Sequence, residues 1–116
     1  MTESAGVAPA SPSPTPSRER LEPDGVTAGL ARLPAWEGDR SAIVRTVQMP
    51  DFPAVIDLVT AVARVAEAMD HHPDIDIRWR TVRFSLSTHS SGGVTETDLV
   101  AAETIEALIA GSSSSV

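Results

Sequence analysis

Apolar residues change their spacing along this chain, and the changes predict where its helices and strands lie. Between Asp51 and Asp70 the apolar positions recur three and four residues apart, which is the period of an amphipathic helix. Asp51 is also a residue type that helix N-caps favour. The apolar stripe comprises Val55, Leu58, Val59, Val62, Val65, Ala66 and Met69. This segment is therefore the clearest helix that the sequence predicts.

Two segments before this helix have the pattern of half-buried β-strands. They are residues 36–39 and 42–49, and in the second of them Ile43, Val47 and Met49 alternate with Val44, Thr46 and Gln48. The chain around Gly38 suits a tight turn between them. We predict that the two strands pair as a hairpin.

Two further alternating segments, 75–79 and 82–86, follow the helix. Their apolar parity changes from odd to even. Both apolar sets can share one face only if the chain reverses or bulges at Arg80-Thr81. We favour a hairpin because both alternations are regular, and a bulged continuous strand is the alternative.

Shorter patterns predict a helix near each end of the domain. Segment 27–33 can form a helical turn that Pro34 stops. Thr95 followed three residues later by Asp98 resembles a capping box that opens a final helix. The buried side of that helix comprises Leu99, Ala102, Ile105 and Ile109. The order of elements predicts an α+β fold in two layers, a four-stranded antiparallel sheet with helices packed on one face.

Composition sets the boundaries of this domain. Residues 1–23 are rich in Pro, Ser and Ala and poor in aliphatic side chains, which predicts a disordered tail. We predict that residues 112–116 form a flexible C-terminal tail. The folded domain is therefore expected over 24–111, and a chain of 116 residues that is 41% hydrophobic suits one such domain.

The composition also excludes several kinds of chemistry. The chain has no cysteine, so disulfides, thiolate ligands and a cysteine nucleophile are excluded. All nine basic residues are arginine, which excludes a Schiff-base or phosphate-loop lysine. A formal charge of −7 disfavours nucleic acid and anionic lipid as partners, because both require a positive surface.

No export or membrane insertion is predicted either. The start Met1-Thr2-Glu3-Ser4 lacks the basic region of a secretion signal. No apolar run approaches the ~18 residues of a membrane span. We therefore expect a cytoplasmic protein with no nucleic-acid or membrane partner.

All three histidines and two nearby carboxylates lie between residues 67 and 98. His71 and His72 end the predicted long helix, and Pro73 forbids its continuation. The negative end of the helix dipole favours positive charge here, so a histidine at this point is a candidate acid. Glu67 lies one turn before His71, the i, i+4 relation that lets a carboxylate contact an imidazole.

The other candidates lie at the ends of other predicted elements. His89 lies at the far end of the last strand, and Asp98 occupies the first turn of the final helix. If the hairpin closes, these ends can converge with His71. Each residue also has a purely structural interpretation, as a helix-end cation, a cap or a surface polar group. A metal site is less favoured, because His71 and His72 diverge on a helix and the usual i, i+4 spacing is missing.

As a set, these residues resemble the signature of the pterin-4a-carbinolamine dehydratases, also called 4a-hydroxytetrahydrobiopterin dehydratases. The likeness spans residues 33–109 and is far more specific than any one of its parts. It rests on Glu67, His71-His72-Pro73, Trp79, His89 and Asp98, on Leu86-Ser87-Thr88-His89, which is similar to the family's second motif, and on Trp36, which lies where the family's first strand carries a tryptophan.

The resemblance implies a hydro-lyase that dehydrates 4a-hydroxytetrahydropterin (4a-hydroxytetrahydrobiopterin) by histidine acid–base catalysis. The product is the quinonoid dihydropterin of tetrahydrobiopterin recycling. The resemblance also implies a small-molecule pterin substrate, no metal, no other cofactor, and a homodimer or homotetramer. The chemistry agrees, because expelling the hydroxyl needs a proton delivered to oxygen while a ring N–H is lost, and imidazole can serve either end near neutral pH.

Carried over residue by residue, the resemblance gives each candidate a role. It makes His71 and His89 the acid–base pair, and it assigns His72 to holding the pterin and its hydroxyl. It assigns Asp98 and Glu67 to orienting or charging the imidazoles. It implies that the pocket is lined by Asp70, Pro73, Ser87, Thr88 and Ser90.

The chain departs from the family pattern at two places. Trp79 stands where the family more often has tyrosine, and 74–76 lacks the bulky aromatics that some relatives place after the proline. The alternative function is a non-catalytic, family-like scaffold that acts by oligomeric contact, and a zinc-dependent hydrolase is a more distant one.

Overall fold

The computed structural model describes residues 16–114. In this range the elements follow the predicted order of helix, two strands, helix, two strands and helix. They are α1 (Pro23–Ala31), β1 (Glu37–Gly38), β2 (Ile43–Gln48), α2 (Phe52–Met69), β3 (Asp74–Arg78), β4 (Thr81–Leu86) and α3 (Glu96–Ser114), with a 3₁₀ turn (His89–Ser91) between β4 and α3. None of the helices within 16–114 combines the length and the apolarity that crossing a bilayer requires.

The strands within this range form one antiparallel sheet in the order β1-β2-β4-β3. Hairpins join β1 to β2 and β3 to β4. In the centre of the sheet Ile43 lies opposite Leu86, and Val47 lies opposite Val82. Residues directly opposite share a face, so these four side chains point to the same side. The α+β fold with a four-stranded antiparallel sheet is confirmed.

The core lies between one face of the sheet and the helices. Burial of each large apolar side chain there contributes about 1.5–3 kcal/mol. The sheet supplies Ile43, Val47, Val82, Phe84 and Leu86, α2 supplies Val55, Leu58 and Val62, and α3 supplies Leu99, Ala102, Ile105 and Ile109. The other face carries exposed polar residues such as Thr46, Gln48 and Arg83. The helices therefore cover a single face, as the alternation predicts.

Helix α2 begins and ends at signals that are local in the sequence. The Asp51 carboxylate accepts a hydrogen bond from the Ala54 N–H at 2.9 Å, as an N-cap does. The helix ends before Asp70, which takes the left-handed conformation with a φ of 53°. The His71 N–H donates to the Ala66 carbonyl at 3.0 Å, which is the Schellman arrangement. The chain turns here, so the two histidines follow the helix rather than end it.

The apolar residues of β3 are more exposed than the alternation predicts. Ile75 and Ile77 lie opposite Phe84 and Val82, on the face that the helices cover. Each is nevertheless 37% exposed, and Trp79 is 86% exposed. β3 is an edge strand, whereas the buried core is centred on β2 and β4. The alternation of apolar residues in a strand shows which side chains share a face. It does not show how much of that face the helices cover.

The hairpin between β3 and β4 is confirmed, but its turn lies one residue earlier than predicted. Arg78 pairs with Thr81, so Trp79 and Arg80 form the turn. Trp79 has a φ of 55°, in the left-handed region that tight hairpin turns use. This conformation takes Trp79 out of the alternation of the strand, which explains its exposure.

The ends of the chain depart from the predicted boundaries. α1 begins before the predicted segment 27–33, because Pro23 suits the first helical position. α3 continues past Gly111 into the segment that we assigned to the C-terminal tail. Residues 16–22, assigned to the N-terminal tail, contact the domain. The rest of the two assigned tails, 1–15 and 115–116, lies outside the described residues.

A polar cluster ties α3 to the sheet. Glu106 Oε1 accepts hydrogen bonds from Arg45 Nε at 2.8 Å and from Trp36 Nε1 at 2.9 Å. The hydrogen bond from Arg45 holds the pKa of Glu106 below its ordinary value of 4.5, against partial burial, which acts in the opposite direction. In acid the unfolded state binds more protons than the folded state, because the pKa of Glu106 is lower in the folded state. The stabilisation by the Glu106 carboxylate is therefore complete above a pH of 4.5 and is lost as the pH falls through the lowered pKa.

Glu106→Gln is expected to lower the free energy of unfolding at neutral pH by about 1 kcal/mol. The variant should also lose less stability than the parent as the solution is acidified, because the titrating carboxyl is gone. Urea unfolding at neutral and acidic pH measures both effects. Glu103→Gln is the matched control on the same helix, because Glu103 only pairs with exposed Arg32 at 3.4 Å. Equal effects of the two substitutions would contradict this account.

Candidate active site

A concave pocket of about 270 Å³ lies where the end of α2 meets the end of β4 and the 3₁₀ turn. Its wall includes His71, His72 and His89, which are all the histidines of the chain. The rest of the wall comprises Arg18, Asp70, Ser87, Thr88 and Ser90. The structure thus gathers imidazoles that are far apart in the sequence.

His71 is the buried imidazole of this group, with 7% of its surface exposed. Its Nε2 lies 2.5 Å from the Oδ1 of Asp98. Its other ring nitrogen, Nδ1, lies 3.5 Å from Nη1 of Arg18. One nitrogen is therefore anchored to a carboxylate, while the other lies beside a residue of the pocket wall.

Asp98 is completely buried, and both of its carboxylate oxygens are hydrogen-bonded. Oδ2 accepts from the Thr95 N–H and from the Thr88 hydroxyl, each at 2.8 Å. The bond to the Thr95 N–H is the capping-box contact that the sequence predicts at the start of α3. A helix N-terminus also favours negative charge. Asp98 is therefore the cap of α3 and the partner of His71 at the same time.

Glu67 contacts His72 rather than His71, so the predicted i, i+4 pair is wrong. Glu67 Oε1 lies 2.9 Å from His72 Nε2, and both side chains are exposed. The i, i+4 rule assumes that the helix continues to residue 71. The left-handed Asp70 ends the helix first and redirects both histidines.

His89 lies at the start of the 3₁₀ turn rather than at the end of a strand. The loop that carries it is closed by the Thr88 N–H, which donates to the Gly93 carbonyl at 2.9 Å. Gly92 has a φ of 77°, a conformation that glycine adopts at little cost. The serine and glycine residues predicted as a flexible connection therefore form a closed loop that holds His89 at the pocket.

The remaining predicted site residues divide into two groups. Asp70, Ser87 and Ser90 line the pocket with the histidines. Thr88 also lines it, but its hydroxyl donates to Asp98. Pro73 lies in the wall of a small apolar cavity that is shared with His71 and not in the wall of the histidine pocket.

Two residues of the site are not marked as such by the sequence pattern. The sequence predicts Thr95 only as a cap, yet its hydroxyl lies 2.8 Å from that of Thr88 in the network around Asp98. The composition places Arg18 in the predicted tail, yet it lines the pocket. No local pattern marks Arg18, because its contacts are made with residues more than fifty positions away.

The chemistry that this arrangement supports is proton transfer. One imidazole is backed by a buried carboxylate, and two others face the same pocket, so a bound molecule can meet both a proton donor and a proton acceptor. Among residues 16–114 no group of three histidine, aspartate or glutamate side chains is arranged to hold a metal ion. The fold and the site together define a small α+β protein with a pocket that three imidazoles line.

Comparison with known sequences identifies its family. A family model described as pterin 4 alpha carbinolamine dehydratase matches residues 19–108, and the chain belongs to this family. A relative from Mycolicibacterium smegmatis, named as a pterin-4-alpha-carbinolamine dehydratase, is 52% identical over 89 residues, which cover 77% of this chain and 95% of the relative. A relative from Chloroflexus aurantiacus with the same name is 46% identical over 90 residues, which cover 78% of this chain and 97% of the relative.

The fold is also similar to a solved structure. A Brucella melitensis protein named as a transcriptional coactivator/pterin dehydratase superposes with a TM-score of 0.75 and is 33% identical. The match covers 78% of this chain and 98% of that chain. The sequence resemblance and the fold therefore lead to the same family.

Proposed function

We propose that this protein is a hydro-lyase that removes water from a 4a-hydroxytetrahydropterin and releases the quinonoid dihydropterin, as in the recycling of tetrahydrobiopterin. The observation that carries the proposal is a pocket walled by three imidazoles, one of them backed by the buried carboxylate of Asp98. Membership of the pterin 4 alpha carbinolamine dehydratase family supplies the class of substrate.

The reaction needs one proton delivered and one removed. The bond between C4a and oxygen breaks as an acid protonates the leaving hydroxyl. A base takes the proton of the neighbouring ring N–H, so that a carbon–nitrogen double bond forms and water leaves. We assign His71 and His89 as the acid–base pair, because both line the pocket and imidazole exchanges protons near neutral pH.

The other residues of the pocket hold the substrate. His72, bonded to Glu67, contacts the pterin and its hydroxyl. Asp70, Ser87 and Ser90 offer polar groups to the hydrogen-bonding edge of the pterin ring. Thr88 and Asp98 act indirectly, by orienting His71.

A coupled assay tests the proposal. A pterin-dependent hydroxylase supplies the 4a-hydroxytetrahydropterin, and absorbance follows the quinonoid dihydropterin with and without this protein. We expect the protein to accelerate dehydration above the spontaneous rate. A rate equal to that of the blank would rule the function out. A His71→Ala/His89→Ala double variant as fast as the parent would rule out the roles assigned to these two histidines.

A non-catalytic role in protein association is the second candidate. It is favoured by the name of the Brucella relative, which includes a transcriptional coactivator. It predicts that the double histidine variant keeps the biological effect, whereas a variant that cannot self-associate loses it. The enzyme proposal predicts the reverse for the histidine variant.

We also propose that the chain forms a homodimer or homotetramer in the cytoplasm. Large apolar side chains that are more than a third exposed support association, since burying them would be favourable. They are Phe52, Ile56, Ile75, Ile77 and Trp79. Light scattering is expected to give the mass of two or four chains, and the mass of a single chain would contradict assembly.

A further inference from the structure

Arg18, an arginine of the N-terminal segment, has no role in the proposed function. The family match begins at residue 19, so Arg18 lies just before it. Arg18 nevertheless forms part of the pocket wall beside the histidines. It brings a permanent positive charge to this wall.

The segment around Arg18 is fixed on both sides by hydrogen bonds to the domain. Before it, the Thr97 N–H donates to the Ser17 carbonyl at 3.2 Å, and the Ser17 N–H donates to Glu96 Oε1 at 3.0 Å. After it, the Leu21 N–H donates to the Val94 carbonyl at 2.9 Å. The backbone of residues 17–21 is therefore held across the start of α3, which is the helix that carries Asp98.

The guanidinium of Arg18 contacts the turn that holds His71. Nη2 donates to the carbonyls of Met69 at 3.2 Å and Asp70 at 3.3 Å, which lie at the negative end of α2. Nη1 lies 3.5 Å from Nδ1 of His71. A guanidinium has donors only, so this contact is a hydrogen bond when Nδ1 presents its lone pair. The ring proton then sits on Nε2, where the Asp98 carboxylate accepts it.

We propose that Arg18 is a positioning residue that, with Asp98, fixes the tautomer of His71. Asp98 holds the proton on Nε2, and Arg18 keeps the lone pair on Nδ1. In this tautomer His71 has no proton to donate at Nδ1, and it can accept one there once the substrate N–H takes the place of Arg18 Nη1 at the lone pair. His71 is then the base of the acid–base pair, and His89 is the acid. The assignment of base and acid rests on the proposed function, whereas the tautomer does not.

Histidine ¹⁵N NMR of the full chain tests the proposal without any turnover. In the parent protein we expect the Nδ1 signal of His71 at the position of an unprotonated nitrogen and the Nε2 signal at that of a protonated one. In Arg18→Gln the Nδ1 signal should move towards the protonated position. Arg20→Gln is the matched control from the same segment, since Arg20 does not line the pocket, and it should leave both signals unchanged.

Kinetics add a second readout. Arg18→Gln is expected to lower kcat about tenfold with a smaller change in KM, because its contact is with His71. Arg18→Lys should recover part of the loss, since lysine keeps the charge and a donor. A His71 tautomer with its proton on Nδ1, or signals identical in the parent and Arg18→Gln, would overturn the proposal. A parent protein without dehydratase activity would refute the proposed function and leave the NMR result to decide the tautomer.

Discussion

His89→Ala is expected to lower kcat/KM for carbinolamine dehydration by ~10²–10⁴-fold, the contribution of one acid or base group. His89 is exposed in the 3₁₀ turn, and its loop is closed by main-chain hydrogen bonds between Thr88 and Gly93. The substitution therefore removes the imidazole and little else. Steady-state kinetics should show the loss, and thermal unfolding should show an unchanged midpoint.

His89→Gln is the control that separates proton transfer from polarity. Glutamine keeps a hydrogen-bonding side chain at the pocket but does not exchange protons near neutral pH. We expect it to be as impaired as His89→Ala. A glutamine variant with the parent's kcat/KM would show that His89 is only a polar contact.

Asp98→Asn is expected to lower kcat/KM by ~10²-fold or more, although asparagine has nearly the same shape. Oδ2 of Asp98 accepts bonds from Thr95 and Thr88, so the amide oxygen of asparagine is needed on that side. The amide NH₂ then faces His71 Nε2 and forces the ring proton to Nδ1. There it meets the donors of Arg18, so the imidazole has the wrong tautomer for the proposed base.

The same substitution should cost about 1–3 kcal/mol of stability, because it weakens a buried, charge-assisted hydrogen bond. Kinetics, urea unfolding and the ¹⁵N signals of His71 measure the three effects separately. Asp57→Asn, on the exposed side of α2, is the control and should change none of them. An Asp98→Asn variant that is less stable but has an unchanged kcat would limit Asp98 to its role as a cap.

Local periodicity predicted most of the fold of this protein. The three-and-four spacing from Val55 to Met69 and the N-cap at Asp51 gave α2 almost residue for residue. The alternating segments gave the strands and both hairpins. The exposure of Ile77 was not predictable in this way, because it depends on the position of β3 at the sheet edge and on where the helices lie.

The sequence predicted which residues form most of the site, but it did not predict which of them contact each other. The spacing of the histidines and carboxylates led to the pocket, yet Glu67 was paired with the wrong imidazole because one left-handed residue, Asp70, redirects the chain. Arg18 carries no local signal, since its place follows from how residues 17–21 cross α3. A single side-chain contact between distant segments depends on the assembled fold rather than on any pattern in the sequence.

In the proposed active site His71, His72 and His89 surround one pterin where water is lost. The most direct test is a titration of the protein with 7,8-dihydrobiopterin, a stable pterin, while the side-chain signals of the three histidines are followed by NMR. We expect all three sets of signals to shift together and to follow one dissociation constant. Two results would contradict the account. One is histidine signals that stay unchanged although the pterin binds, and the other is no response of these signals up to millimolar pterin.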